Sequence, residues 1–267
     1  LFFQNIEAQN WTEIAKVCAT ERWKGANLGY SVDIYGDYAI VGAPYDFIIN
    51  NKGAHVDSVG AAYIYKYDGT NWQAQQKLYL ETGNMYDAYG YSVAIHDDFA
   101  IVGAVGREMT VVDTNQGEVF IFKKNNDIWE LHQNLLAPDR KNHDWFGSSV
   151  TINENFILIG AEQASDSQGK VYIYEKQATT WDFKQILNPT KTNIYRHFGK
   201  SVSIFNDYIA VGCRSNFDAN EDNEMPSAGA VYIYKYNSET WEQSQKIVAN
   251  DRYPSCFFGS SIDMYGN

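Results

Sequence analysis

Five tryptophans, Trp11, Trp72, Trp129, Trp181 and Trp241, are each followed at one and the same interval by a glycine: Gly29, Gly90, Gly147, Gly199 and Gly259. A second glycine follows the first four of these, again at a constant interval: Gly42, Gly103, Gly160 and Gly212. A third, at Gly60, Gly117, Gly169 and Gly229, keeps a constant distance from the next tryptophan. Only the step from second to third glycine floats. It is longest from Gly42 to Gly60 and shortest from Gly160 to Gly169, and the length of the repeat varies with it. Three fixed intervals and one loose one describe a rigid unit with a single tolerant loop.

The segments between these markers carry strand patterns. Ser31–Ile34, Ser92–Ile95, Ser149–Ile152 and Ser201–Ile204 alternate with period two. The runs 38–41, 99–102, 156–159 and 208–211 are almost wholly apolar, as a strand covered on both faces requires. Aromatic triplets such as Tyr63-Ile64-Tyr65 give a third strand, and the polar stretch after each tryptophan gives a fourth, suited to an exposed rim. Two-residue turns such as Gly36-Asp37 join the first two strands. Four antiparallel strands in every repeat predict an all-β fold, a β-propeller of four-stranded blades. The blades fall at 29–78, 90–135, 147–187 and 199–247 of a single domain, and a partial fifth draws on 11–17 and 259–267. Two middle strands of that fifth blade are missing, and Leu1-Phe2-Phe3 reads as the start of a processed or excised piece. The expectation is therefore a longer chain, with a ring of five blades if about 35–45 residues follow, or of seven if two more repeats do.

Phe146-Gly147, Phe198-Gly199 and Phe258-Gly259, with Leu28-Gly29 and Tyr89-Gly90 as variants, resemble the first half of an FG-GAP repeat. Gly42-Ala43-Pro44 resembles the second half, and Gly103-Ala104, Gly160-Ala161 and Gly212-Cys213 are reduced copies. The resemblance covers nearly the whole chain. It is to a family that includes the heads of integrin α subunits and many secreted or surface propellers. It implies an extracellular or cell-surface location and a ligand-binding loop face. The calcium loops of integrin heads lie between strands one and two, where this chain has only two-residue turns, so they are not carried over.

Charge narrows the partners. A formal net charge of −12 without a basic stripe argues against nucleic acid, and no apolar run is long enough to span a bilayer. No metal spacing joins the five histidines, and no Gly-x-Ser-x-Gly is present. The expectation is a non-enzymatic module without a cofactor. One acidic loop, Asp218, Asn220, Asp222 and Glu224, offers oxygens at alternate positions and fits either a weak calcium site or a solvated loop.

Strand parity places the loops from strand two to three and from blade to blade on one face, together with all the length variation. The candidate binding residues there are Tyr45, Asp46, Arg107, Glu108, Arg140, His143, Asp144, Trp145, Tyr195, Arg196, Arg214, Arg252 and Tyr253. Arg, Trp and Tyr are the types enriched at protein interfaces, so the expected partner is a protein or a neighbouring subunit; a glycan is the alternative. Just ahead of each blade's leading glycine, at one equivalent position, stand Ala26, Asp87, Asp144, Arg196 and Cys256, a variation that favours one composite site over equivalent sites in each blade. Replacing Arg107, Trp145 and Arg196 together with alanine is expected to weaken partner binding at an unchanged melting temperature. Of the three cysteines, Cys213 and Cys256 share this face and are the pair that a disulfide would join, against the alternative of three reduced thiols.

Overall fold

The computed structural model of the protein describes residues 13, 15–19, 21, 23–107, 114–189, 196–214 and 225–266. In the first repeat, β1 (Val32–Tyr35) and β2 (Tyr38–Ala43) form a hairpin; β3 (Ile48–Ile49) and β4 (His55–Val56) pair inside the long loop; β5 (Ala61–Tyr67) and β6 (Trp72–Leu78) complete the sheet. The second repeat is β7 (Tyr89–His96), β8 (Phe99–Ala104), β9 (Glu118–Asn125) and β10 (Ile128–Leu135). The third is β11 (Phe146–Ile152), β12 (Phe156–Ala161), the short turn α1 (Ala164–Ser167), β13 (Lys170–Lys176) and β14 (Trp181–Leu187). The fourth is β15 (Ser201–Phe205), β16 (Tyr208–Cys213), β17 (Ala230–Tyr236) and β18 (Trp241–Ile247). Each of these four sheets is antiparallel, with its strands in sequence order, so the expected blades are present.

The cores lie between blades. Ile40, Ile64 and Leu78 of blade one pack with Val93, Val102 and Trp129 of blade two. Ile101 and Ile121 of blade two meet Ile157, Tyr172 and Trp181 of blade three, and Leu158 and Ile173 of blade three meet Val211, Tyr232 and Trp241 of blade four. A blade buried on both sides needs apolar residues at consecutive positions, which is why the second strands are continuous runs. Val32 and Ile34 make the point by contrast. Their counterparts Val93 and Ile95 are buried against blade one, whereas Val32 and Ile34 are exposed.

The fixed spacing of the glycines follows from three crossings between neighbouring blades. Gly199 has φ +84°, a conformation that glycine adopts without steric cost, and its carbonyl oxygen accepts a hydrogen bond from Ser149 Oγ at 2.8 Å. That carbonyl rests on Gly160, where a Cβ would stand 2.2 Å from the oxygen and 2.3 Å from Ser149 Oγ. The same serine-to-glycine hydrogen bond recurs from Ser31 to Gly90, Ser92 to Gly147 and Ser201 to Gly259. The third glycine meets the aromatic residue of the next blade: Gly60 bridges Tyr89, Gly169 bridges Phe198 and Gly229 bridges Phe258. Backbone touches backbone at each crossing, so the intervals between them cannot drift.

A second lock lies at the rim. In each blade the pairing of strands three and four slips by one residue, at Gln75, His132, Lys184 and Ser244. Such a bulge re-aims the residue after it. In three blades that residue is a glutamine whose amide clasps the backbone of the next tryptophan. Gln133 Nε2 donates to Trp181 O and Gln133 Oε1 accepts from Trp181 N, both at 2.9 Å; Gln76 holds Trp129 and Gln185 holds Trp241 in the same way. Gln133→Ala is expected to lower stability by about 1–3 kcal/mol, since two hydrogen bonds and a blade contact are lost. Gln245→Ala, whose side chain has no such partner among the described residues, should change it by under about 0.5 kcal/mol. Urea denaturation of the two variants checks the difference.

The partial fifth blade departs from expectation. Residues 15–19 and Ser261–Met264 form no strand. Val17 and Ala19 pack against Val41, Ala43, Tyr63 and Tyr65, while Met264 N donates to Ser203 Oγ. A strand assignment needs a laddered partner, and neither segment pairs its backbone with a described strand.

Candidate functional site

The loop face is built on a repeated turn. Two residues before the leading glycine the backbone is left-handed in every repeat: Asn27, Ala88, Trp145, His197 and Phe257 have φ between 48° and 57°. Asparagine and histidine tolerate this conformation, whereas the bulky Trp and Phe adopt it rarely. One residue earlier, the side chain often closes the turn. Asp87 Oδ2 accepts from Asn84 N and Asp144 Oδ2 from Lys141 N, both at 2.8 Å, and Cys256 Sγ accepts from Tyr253 N at 3.2 Å. The differing residues of this position therefore share one structural task in three repeats, which removes the argument for a composite site drawn from their variation.

The cysteines are free thiols, so the disulfide that the sequence left open is not formed. Cys213 packs into the core between blades three and four, while Cys256 is engaged in its own turn.

Four of the candidate binding residues are internal anchors. Asp46 is fully buried, accepts from Tyr63 Oη, and pairs with Lys77 at 3.0 Å. Asp144 is buried within its turn, and burial pushes its carboxyl above the ordinary range. Arg196 is 1% exposed and donates from Nη1 to Tyr232 Oη at 3.1 Å. Arg107 holds two buried carboxylates, Asp87 at 2.9 Å and Glu118 at 3.4 Å. The logic runs across blades. Tyr63, Tyr172 and Tyr232 each place a hydroxyl against a loop anchor, Asp46, Asp139 or Arg196. Blade two has Phe120 at that position and uses the Arg107 cluster instead. The expectation that Arg107, Trp145 and Arg196 can be exchanged at constant melting temperature is therefore corrected, because two of them secure the loops.

Between blades three and four, Glu162 is 3% exposed, with Lys200 Nζ at 2.9 Å and His197 Nδ1 at 3.6 Å. Burial alone would raise its carboxyl, but the neighbouring His197 ring and the charge and hydrogen bond of Lys200 outweigh burial and hold it below its ordinary 4.5. A carboxyl lowered by folding adds stability above its unfolded pKa and loses it as pH falls through the folded value. Glu162→Gln is thus expected to cost about 1–3 kcal/mol at neutral pH. The gap to the parent protein should close as pH drops below 4.5, which denaturant melts at neutral and acid pH would measure.

The remaining candidates are accessible to differing degrees. Tyr45, Arg140, His143 and Tyr253 are exposed; Trp145 and Arg214 are half-buried, the Arg214 guanidinium lying over the Phe257 ring at 5.1 Å. His143 Nε2 lies 3.1 Å from Thr114 Oγ1. Arg252 is half-buried and held by further contacts. Glu108, Tyr195 and the acidic set Asp218, Asn220, Asp222 and Glu224 lie outside the described residues. The sequence reading missed Met85 and Tyr86, in the loop from blade one to two, of which Tyr86 is 65% exposed. Apolar residues at the tip of a loop that the pattern predicts to face solvent were the available signal. With Tyr45 and Tyr253 they give this face exposed aromatic and thioether surface above a layer of buried charge pairs. Among the described residues no helix is long and apolar enough to cross a membrane.

No curated protein matches the chain. Among solved structures it is similar to a functionally unknown protein from Desulfotomaculum acetoxidans DSM 771, at 14% identity and a TM-score of 0.47. That likeness covers 87% of this chain and 60% of the other, so this chain spans less than two thirds of that protein's length. The model of the FG-GAP repeat matches four times, at 11–65, 72–122, 129–174 and 181–234, each match beginning at one of the tryptophans. With backbone crossings that account for its glycines, and matches over most of its length, the chain belongs to the FG-GAP repeat family.

Proposed function

We propose that this protein is a non-enzymatic binding module, an extracellular or surface propeller segment whose loop face receives a protein partner. The observation that carries the reading is the division of labour on that face. Buried anchors, Asp46, Asp144 and Arg196, with the half-buried Arg107, fix the loops from below, while Tyr45, Met85, Tyr86 and Tyr253 are presented to solvent. Exposed aromatics on loops fixed by a rigid scaffold are the usual source of interface energy, because little conformational entropy is lost on binding. The family supports the reading, and so does the net charge of −12, which favours a partner with basic character around its contact. No metal or cofactor has a part in it.

Tyr86→Ala combined with Tyr253→Ala should weaken capture of a defined partner by at least about tenfold at an unchanged melting temperature. Asp97→Lys with Glu154→Lys, on the opposite turns, should leave capture intact. The reverse outcome would assign the interface to the turn face.

A further inference from the structure

The turns joining strands one to two and three to four share the other face, and there the junction of blades two and three differs from its neighbours. At each junction the first aromatic residue of strand two lies beneath ammonium groups. Between blades one and two, Lys66 and Lys124 stand 5.4 and 4.2 Å from the centre of the Tyr38 ring. Both are neutralised, Lys66 by Asp127 at 2.8 Å and Lys124 by Asp98 at 3.0 Å. Between blades three and four, Lys184 beside Phe156 is paired with Glu175 at 2.9 Å. Between blades two and three, Lys123 and Lys176 stand 5.8 and 4.8 Å from the centre of Phe99. Neither has a carboxylate partner among the described residues. The repeat shows why: Thr179 occupies the position of Asp127, and Asn155 that of Asp98.

These two ammonium groups, with His132 5.8 Å from the Phe99 ring, line a cavity of about 530 Å³. Thr179 and Thr180 add hydroxyls, and Trp181 closes one wall. The acidic side chains of the cavity, Asp37, Asp97 and Asp98, lie on the tight turns, and Asp98 is already held by Lys124. Rim lysines that discourage edge pairing belong on fourth strands, whereas Lys123 and Lys176 lie on β9 and β13. Both lysines are exposed, and in a chain of net charge −12 two neighbouring cations without a carboxylate partner set a local positive potential that favours an anion. Lysines act as point charges, whereas a planar carboxylate is better matched by an arginine fork. We infer that this cavity binds a tetrahedral oxyanion, a phosphate or sulfate, either free or as an ester on a larger ligand.

Titration with inorganic phosphate, inorganic sulfate and phenyl phosphate at constant ionic strength, followed by NMR shifts of Thr179 and Thr180, tests the site. Saturation with a midpoint on the order of 1 mM is expected, and none with chloride. Phenyl phosphate binding more tightly than phosphate would place the group on an ester; equal binding would point to the free ion. Lys123→Gln with Lys176→Gln should weaken binding at least about tenfold. Asn155→Asp with Thr179→Asp, which restores the carboxylates of the neighbouring junction, should abolish it without loss of the fold. Binding that both double variants leave intact, or no saturation in the parent protein, would overturn the assignment.

Discussion

Gly160→Ala is expected to destabilise the protein by about 3–4 kcal/mol, although it adds a single methyl group. The methyl would stand 2.2 Å from the carbonyl oxygen of Gly199 and 2.3 Å from Ser149 Oγ, and the first of these is backbone of the next blade. Relief requires opening the junction, which also breaks the hydrogen bond from Ser149 to Gly199. The melting temperature should fall by roughly 6–16 °C for a domain of this size. Ser149→Ala removes only the hydrogen bond and should cost about 1 kcal/mol. If calorimetry found the two variants equal, close backbone approach would not be what fixes the glycine.

Arg107→Ala should be at least as damaging, at about 3–5 kcal/mol, because it leaves Asp87 and Glu118 buried without their cation. Asp87 also accepts from Asn84 N in the turn below Tyr86, and Glu118 from Asn134 Nδ2 on the rim strand. The loss therefore propagates to the loop that presents Met85 and Tyr86. Arg107→Met in an Asp87→Asn, Glu118→Gln background should recover most of the stability, since no uncompensated charge is then buried. Urea melts of the two variants check this. A mild effect of Arg107→Ala alone would return Arg107 to the set of accessible contact residues.

The fold was legible in the sequence because its constraints are periodic. Gly42, Gly103, Gly160 and Gly212 recur at one spacing because each lies under the carbonyl of the next blade's glycine. The rim glutamines recur too, but their clasp depends on a bulge at Gln75, His132, Lys184 and Ser244, and no residue type marks it. The candidate site was harder to read. Polarity and loop position mark Asp46, Arg107, Asp144 and Arg196 as surface groups, yet Asp46 and Arg196 are buried against partners distant in sequence, Lys77 and Tyr232, and Asp144 within its own turn. The β3–β4 hairpin was hidden for a similar reason, as two-residue strands carry no period. Tyr253 was among the candidates because it lies in a variable loop, whereas Tyr86, equally exposed, was signalled only by an apolar residue at a loop tip.

The face assigned to the partner can be tested by placing a photo-crosslinking amino acid at Tyr86, Tyr253, Asp98 or Asp127 in turn. Crosslinking is then carried out in the protein's own source. The account predicts the same covalent adduct from Tyr86 and Tyr253, the loop-face positions, and none from Asp98 or Asp127 on the turn face. An adduct formed from Asp98 and Asp127 but not from Tyr86 and Tyr253 would contradict it.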